Sequence, residues 1–166
     1  SLARLGYKFT SAGVCRLSDI PTLLGRSHAK IVFNLVESLE GNISDYNMVP
    51  ALCSAHGKSC TGSDSASLFL THDKSIARQK LLDAGISVPP GILIPLTSFQ
   101  KEKYPPFPPP YIVKPSCSDG SEGISKKSLI HARNSRLFKI ASFIHRKLEQ
   151  PALIEKYIEG RELNIS

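Results

Sequence analysis

The sequence predicts an α/β protein in two parts: a layer of parallel strands and helices, then a strand-rich unit carrying one strongly amphipathic helix. Three observations carry the prediction. Short apolar runs alternate with capped helical segments through the first 70 residues, with brief connections. Lys30-Ile-Val-Phe-Asn-Leu35 is a nearly continuous apolar run, the pattern of a strand covered on both faces. Beyond Thr71, apolar positions recur at helical spacing in one long segment and cluster into short runs elsewhere.

Taken in order, Tyr7–Val14 reads as a short strand ending near Gly13. Ser18–Leu24 reads as a helix capped by Ser18 or Asp19, with Pro21 in the first turn, where a missing N–H costs little. After the Lys30–Leu35 strand, Ser44 caps a helix that runs to His56 and closes at Gly57. Pro50 within it predicts a kink or a late start. Lys58–Cys60 is a brief strand before Thr61-Gly-Ser-Asp64. A second unit begins near Thr71. Asp73 caps Lys74–Ala84, with Ile76, Ala77, Lys80 and Leu81 as one narrow apolar face, and Gly85 with Pro89-Pro90 ends it. Gly91–Leu96 is a strand. Lys101–Pro110 is a proline-dense connector, stiff and extended rather than floppy. Tyr111–Val113 is a strand ending at Lys114. Leu137, Ile140, Ala141, Ile144 and Leu148 place an amphipathic helix over Arg133–Leu148, and Pro151 stops it. Ala152–Ile158 is the last strand.

Composition sets the class. Of 166 residues, 41% are hydrophobic, enough for a real core. No apolar run reaches the ~18 residues of a membrane span, and no signal peptide opens the chain. The chain opens on Ser1 and holds one methionine, Met48, so the sequence reads as a fragment lacking its natural start. Cys15, Cys53, Cys60 and Cys117 lack metal-ligand spacing and read as free, mostly buried thiols of a reducing cytoplasm, Cys117 being the accessible one. Net charge is +7, concentrated beyond residue 70, where 15 basic face 9 acidic residues against 6 and 5 before it. Ile124–Lys147 holds Lys126, Lys127, Arg133, Arg136, Lys139, Arg146 and Lys147 and no acid. That stretch reads either as the solvated face of a helix in a protein with a polyanionic ligand or as a nucleic-acid contact. The first is preferred, because no known nucleic-acid motif supports the second.

Two stretches carry the chemistry. Tyr111-Ile-Val-Lys114-Pro leads into Ser118-Asp-Gly-Ser-Glu-Gly123, a strand-end cation followed by a loop rich in free backbone N–H groups, which suits phosphates. Ala152-Leu-Ile-Glu155-Lys-Tyr-Ile-Glu-Gly-Arg-Glu162 places carboxylates after an apolar run, which suits an amine or paired hydroxyls such as those of adenosine. Together they suggest a nucleotide site.

Several pieces in order make a stronger pattern than either stretch alone. These are Val32-Phe-Asn34, Thr61-Gly-Ser63, Asp73-Lys74, Ala84-Gly-Ile86 with Pro89-Pro90, Val113-Lys-Pro115, Asp119-Gly-Ser-Glu-Gly-Ile124 and Glu155-Lys-Tyr-Ile-Glu-Gly-Arg-Glu162. In this series the chain resembles the ATP-grasp superfamily, in its D-alanine–D-alanine ligase-like branch. The resemblance implies a partial Rossmann-like, pre-ATP-grasp domain over residues 1–70 and the smaller α+β subdomain of an ATP-grasp fold over 71–166, the C-terminal subdomain lying outside the chain. It implies that Lys74 and Lys114 face the nucleotide phosphates and that Gly120, Ser121 and Gly123 close over them. Glu155 would accept from the adenine amino group, the backbone of Lys156 and Ile158 would read the ring edge, and Glu162 would hold the ribose. The reaction implied is ATP-dependent carboxylate–amine ligation through an acyl phosphate, with Mg2+ as a second cofactor and cell-wall biogenesis as its setting.

The chain also departs from that pattern. The ligases carry two adjacent serines in the phosphate loop, where Gly120 stands first here, preceded by Asp119; a histidine of the ligases is Glu37 here, the one substrate-side candidate. No catalytic residue and no metal ligand is assigned, since the family's magnesium ligands fall beyond Ser166. ATP binding by the chain alone is therefore expected to be weak or undetectable, without turnover. The partners expected are ATP and small carboxylates and amines, with no membrane, with nucleic acid disfavoured and with a homodimer left open; the location expected is cytoplasmic. Another ATP-grasp ligase, a basic nucleic-acid-binding module over Ile124–Lys147, and a degenerate fold kept for protein contacts are the competing readings.

Overall fold

The computed structural model describes residues 2–42, 44–96, 104–118, 122–161 and 163. The chain divides into two compact units, Ser1–Leu70 and Thr71–Ser166.

In the first unit, helix α1 (Ile20–Arg26) and helix α2 (Val49–Ala55) flank a two-stranded parallel sheet of β1 (Ile31–Val32) and β2 (Ser59–Cys60). Pro21 sits at the start of α1, where no N–H is needed, but Asp19 makes no capping hydrogen bond. Pro50 delays α2 as expected: Asp45–Met48 forms a 3-10 turn, and the α-helix begins only at Val49. Gly57, at φ +65°, ends it and returns the Lys58 N–H to Cys53 O. Ile20, Leu24, Val49 and Cys53 form the core, with Val32, Val36 and Cys60 packed against it. Three expectations fail here. Tyr7–Val14 is not a strand, and Tyr7 and Phe9 are exposed; no partner strand among the described residues pairs with it. The strand at Lys30–Leu35 shrinks to two residues. It is also covered on one face only, leaving Ile31, Phe33 and Leu35 exposed at 66%, 56% and 77% while Val32 and Val36 turn inward. The third is an omission. Helix α3 (Ser65–His72) has no counterpart in the sequence expectations, because Ser65 and Ser67 are weak helix formers; its start is written in Asp64, whose carboxylate accepts from Ser67 N.

The second unit is a four-stranded antiparallel sheet in the order β3 (Gly91–Ile94), β6 (Ala152–Lys156), β4 (Tyr111–Pro115), β5 (Leu129–Ile130). Strand alternation sorts its faces. Ile94, Ile92, Ala152, Ile154, Tyr111, Val113 and Ile130 point to one side, where helix α5 (Arg136–Leu148) buries Leu137, Phe138, Ala141 and Ile144 on them. Burial of a side chain like Leu137 contributes on the order of 2 kcal/mol. The α5 helix ends at Glu149, which sits at φ 52° and ψ 36° in the left-handed region, just before Gln150 and Pro151. The opposite face carries Gly91, Leu93, Leu153, Glu155, Ile112 and Lys114.

Helix α4 (Lys74–Asp83) leaves most of its narrow apolar face exposed. Ile76 and Leu81 are exposed, and the half-buried residues are Lys74, Ser75, Ala77 and Arg78. Polar anchoring decided the matter, since α4 is held at its start by Asp73, which accepts from Ser75 N and Ile76 N. The proline connector, described from Tyr104, is pinned from several sides: Tyr111 Oη donates to Phe107 O, and the Arg133 guanidinium donates to Pro105 O, Phe107 O and the Tyr111 hydroxyl.

Candidate functional site

On the open face of the second sheet, Ile112 lies opposite Glu155 and Lys114 opposite Leu153, so Lys114 and Glu155 are diagonal neighbours across β4 and β6. Their side chains meet, with Lys114 Nζ 2.5 Å from Glu155 Oε2. The other carboxylate oxygen faces α4, where Arg78 Nε lies 3.7 Å from Oε1. Arg78 is fixed from behind, its Nε and Nη2 donating to Pro89 O at 3.1 and 2.8 Å. Gly91 lies directly opposite Glu155 on β3, and a Cβ there would stand 3.0 Å from Glu155 Cγ and 3.2 Å from Arg78 Nε. The glycine makes room for the ion pair. Glu155 is buried, so removing both cations would strand a charge away from water. Two cations leave part of its acceptor capacity unused, since an ionised carboxylate offers about four lone-pair sites.

Lys74 stands one turn before Arg78 on the same face of α4, and its Nζ donates to the carbonyl of Ser118. Its backbone N–H donates to Ser116 O at 2.9 Å. The segment Ser116–Ser118, from which the 118–123 loop departs, is thus rooted in α4. Ser116 Oγ donates to Asp73 Oδ1 at 2.7 Å, and Ser116 N to Pro151 O at 3.0 Å. Gln150 Oε1 accepts from Cys117 N and Ser118 Oγ, both at 3.1 Å. Burial would raise the Asp73 carboxyl, but the Ser75 and Ser116 hydroxyls and the N–H groups of Ser75 and Ile76 outweigh it and hold it below the usual carboxylate range. Burial pushes the Cys117 thiol up, and the Asp73 charge adds to that. The expectation that Cys117 is the accessible thiol is corrected: Cys15 is the exposed one, and only Cys53 is fully buried.

Gly123 is shaped by packing as well as by φ. At +70°, a Cβ would lie 2.6 Å from Pro115 Cγ and 2.8 Å from Leu148 Cδ1. Gly120, Ser121 and Glu162, together with Asp119, lie outside the described residues.

β6 stops at Lys156, two residues short of the expected end, so Ile158 lies beyond the strand with its side chain exposed. The Lys156 side chain turns to the connector, Nζ donating to Pro109 O at 2.6 Å and Pro108 O at 3.3 Å. Its N–H donates to Pro90 O at 2.8 Å, and the next N–H, of Tyr157, to Pro110 O at 2.9 Å. Glu37 belongs to the first unit and is exposed in the segment after β1, where Asn34 is tied to Thr61 Oγ1. An open depression of about 390 Å3 in that unit, lined by Pro50, Ser54, Lys58, Cys60, Gly62 and Asp64 among others, includes no candidate residue.

Comparison with known proteins bears on the family resemblance. No protein-family model matches the chain. The uncharacterised protein y4sG of Sinorhizobium fredii is 32% identical over 136 residues, 82% of this chain and 38% of its own length. A D-alanine–D-alanine ligase of Petrotoga mobilis is 30% identical over 166 residues, the whole of this chain and 50% of the ligase. The D-alanine–D-alanine ligase of Rhizorhabdus wittichii is 28% identical over 168 residues, covering 100% of the chain and 51% of the ligase. Over its whole length the chain is similar in sequence to D-alanine–D-alanine ligases. The crystal structure of the Bacillus anthracis D-alanine–D-alanine ligase complexed with ATP has the same ATP-grasp fold, at TM-score 0.72 and 18% identity, over 95% of this chain and 50% of the ligase. The chain spans about half the length of the ligases it matches.

The nucleic-acid reading of Ile124–Lys147 loses ground on geometry. Arg133 is spent on Pro105, Phe107 and Tyr111, and Arg136 donates to Lys127 O. Arg78, Gly91, Pro90 and Gln150 were missed as site residues. Arg78 had a usable signal, since it follows Lys74 by four positions and so shares its helical face. Gly91 and Gln150 had none, because their partners are distant in sequence.

Proposed function

We propose that this chain supplies nucleotide-holding residues of an ATP-dependent carboxylate–amine ligase of the D-alanine–D-alanine ligase type. The observation that supports it is the convergence of Arg78 and Lys114 on the buried carboxylate of Glu155, between α4 and the open face of the sheet, with Lys74 one turn from Arg78 and donating to Ser118 O. The surplus of positive charge favours a polyphosphate, and the carboxylate favours an amino-bearing base. In this reading residues 71–166 are the first ATP-grasp subdomain and residues 1–70 part of the pre-ATP-grasp domain. Lys114 and Lys74 hold phosphate oxygens, Gly120, Ser121 and Gly123 close over them, Glu155 accepts from the adenine amino group, the backbone of Lys156 and Ile158 meets the ring edge, and Glu162 holds the ribose. Glu37 is the substrate-side residue. Bound ATP would supply the phosphoryl group that turns a carboxylate into an acyl phosphate, which an amine then displaces with release of phosphate. Among the described residues no group of three or more His, Cys, Asp or Glu could hold a metal ion, so no step here is assigned to magnesium. No helix among the described residues is long and apolar enough to cross a membrane.

The test is nuclear magnetic resonance on the isotope-labelled chain with millimolar ATP. Resonances of Lys114, Ser118, Glu155 and Lys156 should shift, and Lys114→Ala and Glu155→Gln should weaken the response several-fold. A response confined to other residues, or none in a protein carrying this segment at the length of the ligases, sinks the nucleotide reading. In a protein carrying this segment at the length of the ligases, ADP release should depend on D-alanine; release with another carboxylate and amine instead would move the substrate assignment and keep the reaction class.

A further inference from the structure

Two of the four cysteines share one place in the first unit. Cys53 lies on α2, fully buried in the core with Ile20, Leu24 and Val49, and Cys60 of β2 packs against that core. The chain reverses between them at Gly57, and the Lys58 N–H returns to Cys53 O at 2.9 Å. Pairing with β1 then fixes Cys60 opposite Val32. The two side chains meet between helix and strand, joined by a hydrogen bond. They differ in access. Pro50 and Ser54 of α2 and Cys60 of β2 line the open depression of about 390 Å3, whereas Cys53 lies beneath its wall. Burial, then the charge on Cys60 and the hydrogen bond to it, push the Cys53 thiol up to about 11, so Cys53 meets neutral solution as S–H. The Cys60 Sγ lies 3.6 Å from Thr61 O and is half-buried, reached from the depression.

We infer that Cys60 and Cys53 form an oxidisable dithiol, in which Cys60 reacts from the depression with a hydroperoxide and Cys53 closes a disulfide to it from behind. In the first step a bond forms between the Cys60 sulfur and oxygen as the O–O bond of the hydroperoxide breaks. An alcohol leaves, or water when the oxidant is hydrogen peroxide, and Cys60 becomes a sulfenic acid. In the second step the Cys53 sulfur attacks that sulfur and the S–O bond breaks. The hydroxide leaves as water, carrying the Cys53 proton. The two electrons given up by the thiols are those the hydroperoxide gains, so no further co-reactant is needed. Thiols already in hydrogen-bond contact have only a short approach to an S–S bond of about 2.0 Å. The bridge ties α2 to β2.

The experiment treats the 166-residue chain carrying Cys15→Ser and Cys117→Ser with hydrogen peroxide. The intact mass should fall by two hydrogens, and a digest should yield one peptide pair joined through positions 53 and 60. Dithiothreitol should restore both thiols, and the same peptide pair should appear in the unsubstituted chain. Added to that background, Cys53→Ser should stop the reaction at a Cys60 sulfenic acid that dimedone traps. Cys60→Ser should leave Cys53 unmodified at the same dose. The amide resonances of Leu24 and Val49 should stay dispersed throughout, showing that the bridge closes in the folded unit. Two free thiols after peroxide, or Cys60 carried on to the sulfinic acid without joining Cys53, overturns the inference. So does dimedone labelling of Cys53 when Cys60 is absent, or a bridge that forms only in urea.

Discussion

Gly123 shows how one residue ties loop chemistry to packing. Its positive φ and the absence of space beside Pro115 and Leu148 act together. Gly123→Ala should therefore destabilise the chain by about 1–3 kcal/mol, the range for forcing atoms into a filled space. Urea denaturation should show a lower midpoint at unchanged slope. Asp73 makes a pH-dependent contribution of known sign. Its carboxyl is depressed in the folded chain, so its stabilisation is fully present above the unfolded value near ~3.9 and is lost as pH falls through the folded value. The stability gap between the wild-type chain and Asp73→Asn should be widest near neutral pH and close below about pH 4. A gap that widens on acidification would contradict the assignment of Ser75 and Ser116 as donors to a charged Asp73.

At the scale of elements, α5 and its basic face separate two kinds of charge. Leu137→Ala removes a fully buried side chain from the sheet and should cost about 2–5 kcal/mol. Arg133→Ala should also destabilise, by about 1–3 kcal/mol, because three acceptors lose a charged donor. Lys139→Ala, on the exposed face, should stay within about 0.5 kcal/mol. Thermal or urea unfolding of the three variants checks the order. The helical period of α5 was legible because burial alone decides which side of it faces inward. In α4 the apolar stripe does not mark the buried side: that side is fixed by Lys74 and Arg78, whose partners at Ser118, Pro89 and Glu155 are not near them in sequence. The site followed the same rule. Lys114 and Glu155 were each visible from strand ends and local polarity, but their pairing depends on a register that only the folded sheet displays.

For the molecule as a whole, the chain divides into units 1–70 and 71–166, and the strand lengths of the first unit were not legible in its sequence. Apolar runs such as Lys30–Leu35 announce a strand but not how many neighbours cover it. Within the second unit, β4 and β6 are each paired on both sides. Native-state hydrogen exchange should therefore find the slowest amides at positions 112–114 and 152–155. The two-residue strands β1 and β2 of the first unit should exchange earlier. Fast exchange throughout β6 would be incompatible with the four-stranded order.

Glu149 gives the chain an unused reserve. A side chain held at positive φ carries a local conformational cost of about 1–2 kcal/mol that glycine does not. Glu149→Gly, offset by the greater freedom of glycine when unfolded, should still raise the unfolding midpoint slightly. Deleting a side chain would then strengthen the fold, and because Gln150 next to it holds Cys117 and Ser118, the gain would fall beside the end of β4 rather than at a remote surface. The stop signal of one helix is in this way a dial on how firmly the segment Ser116–Ser118 is mounted.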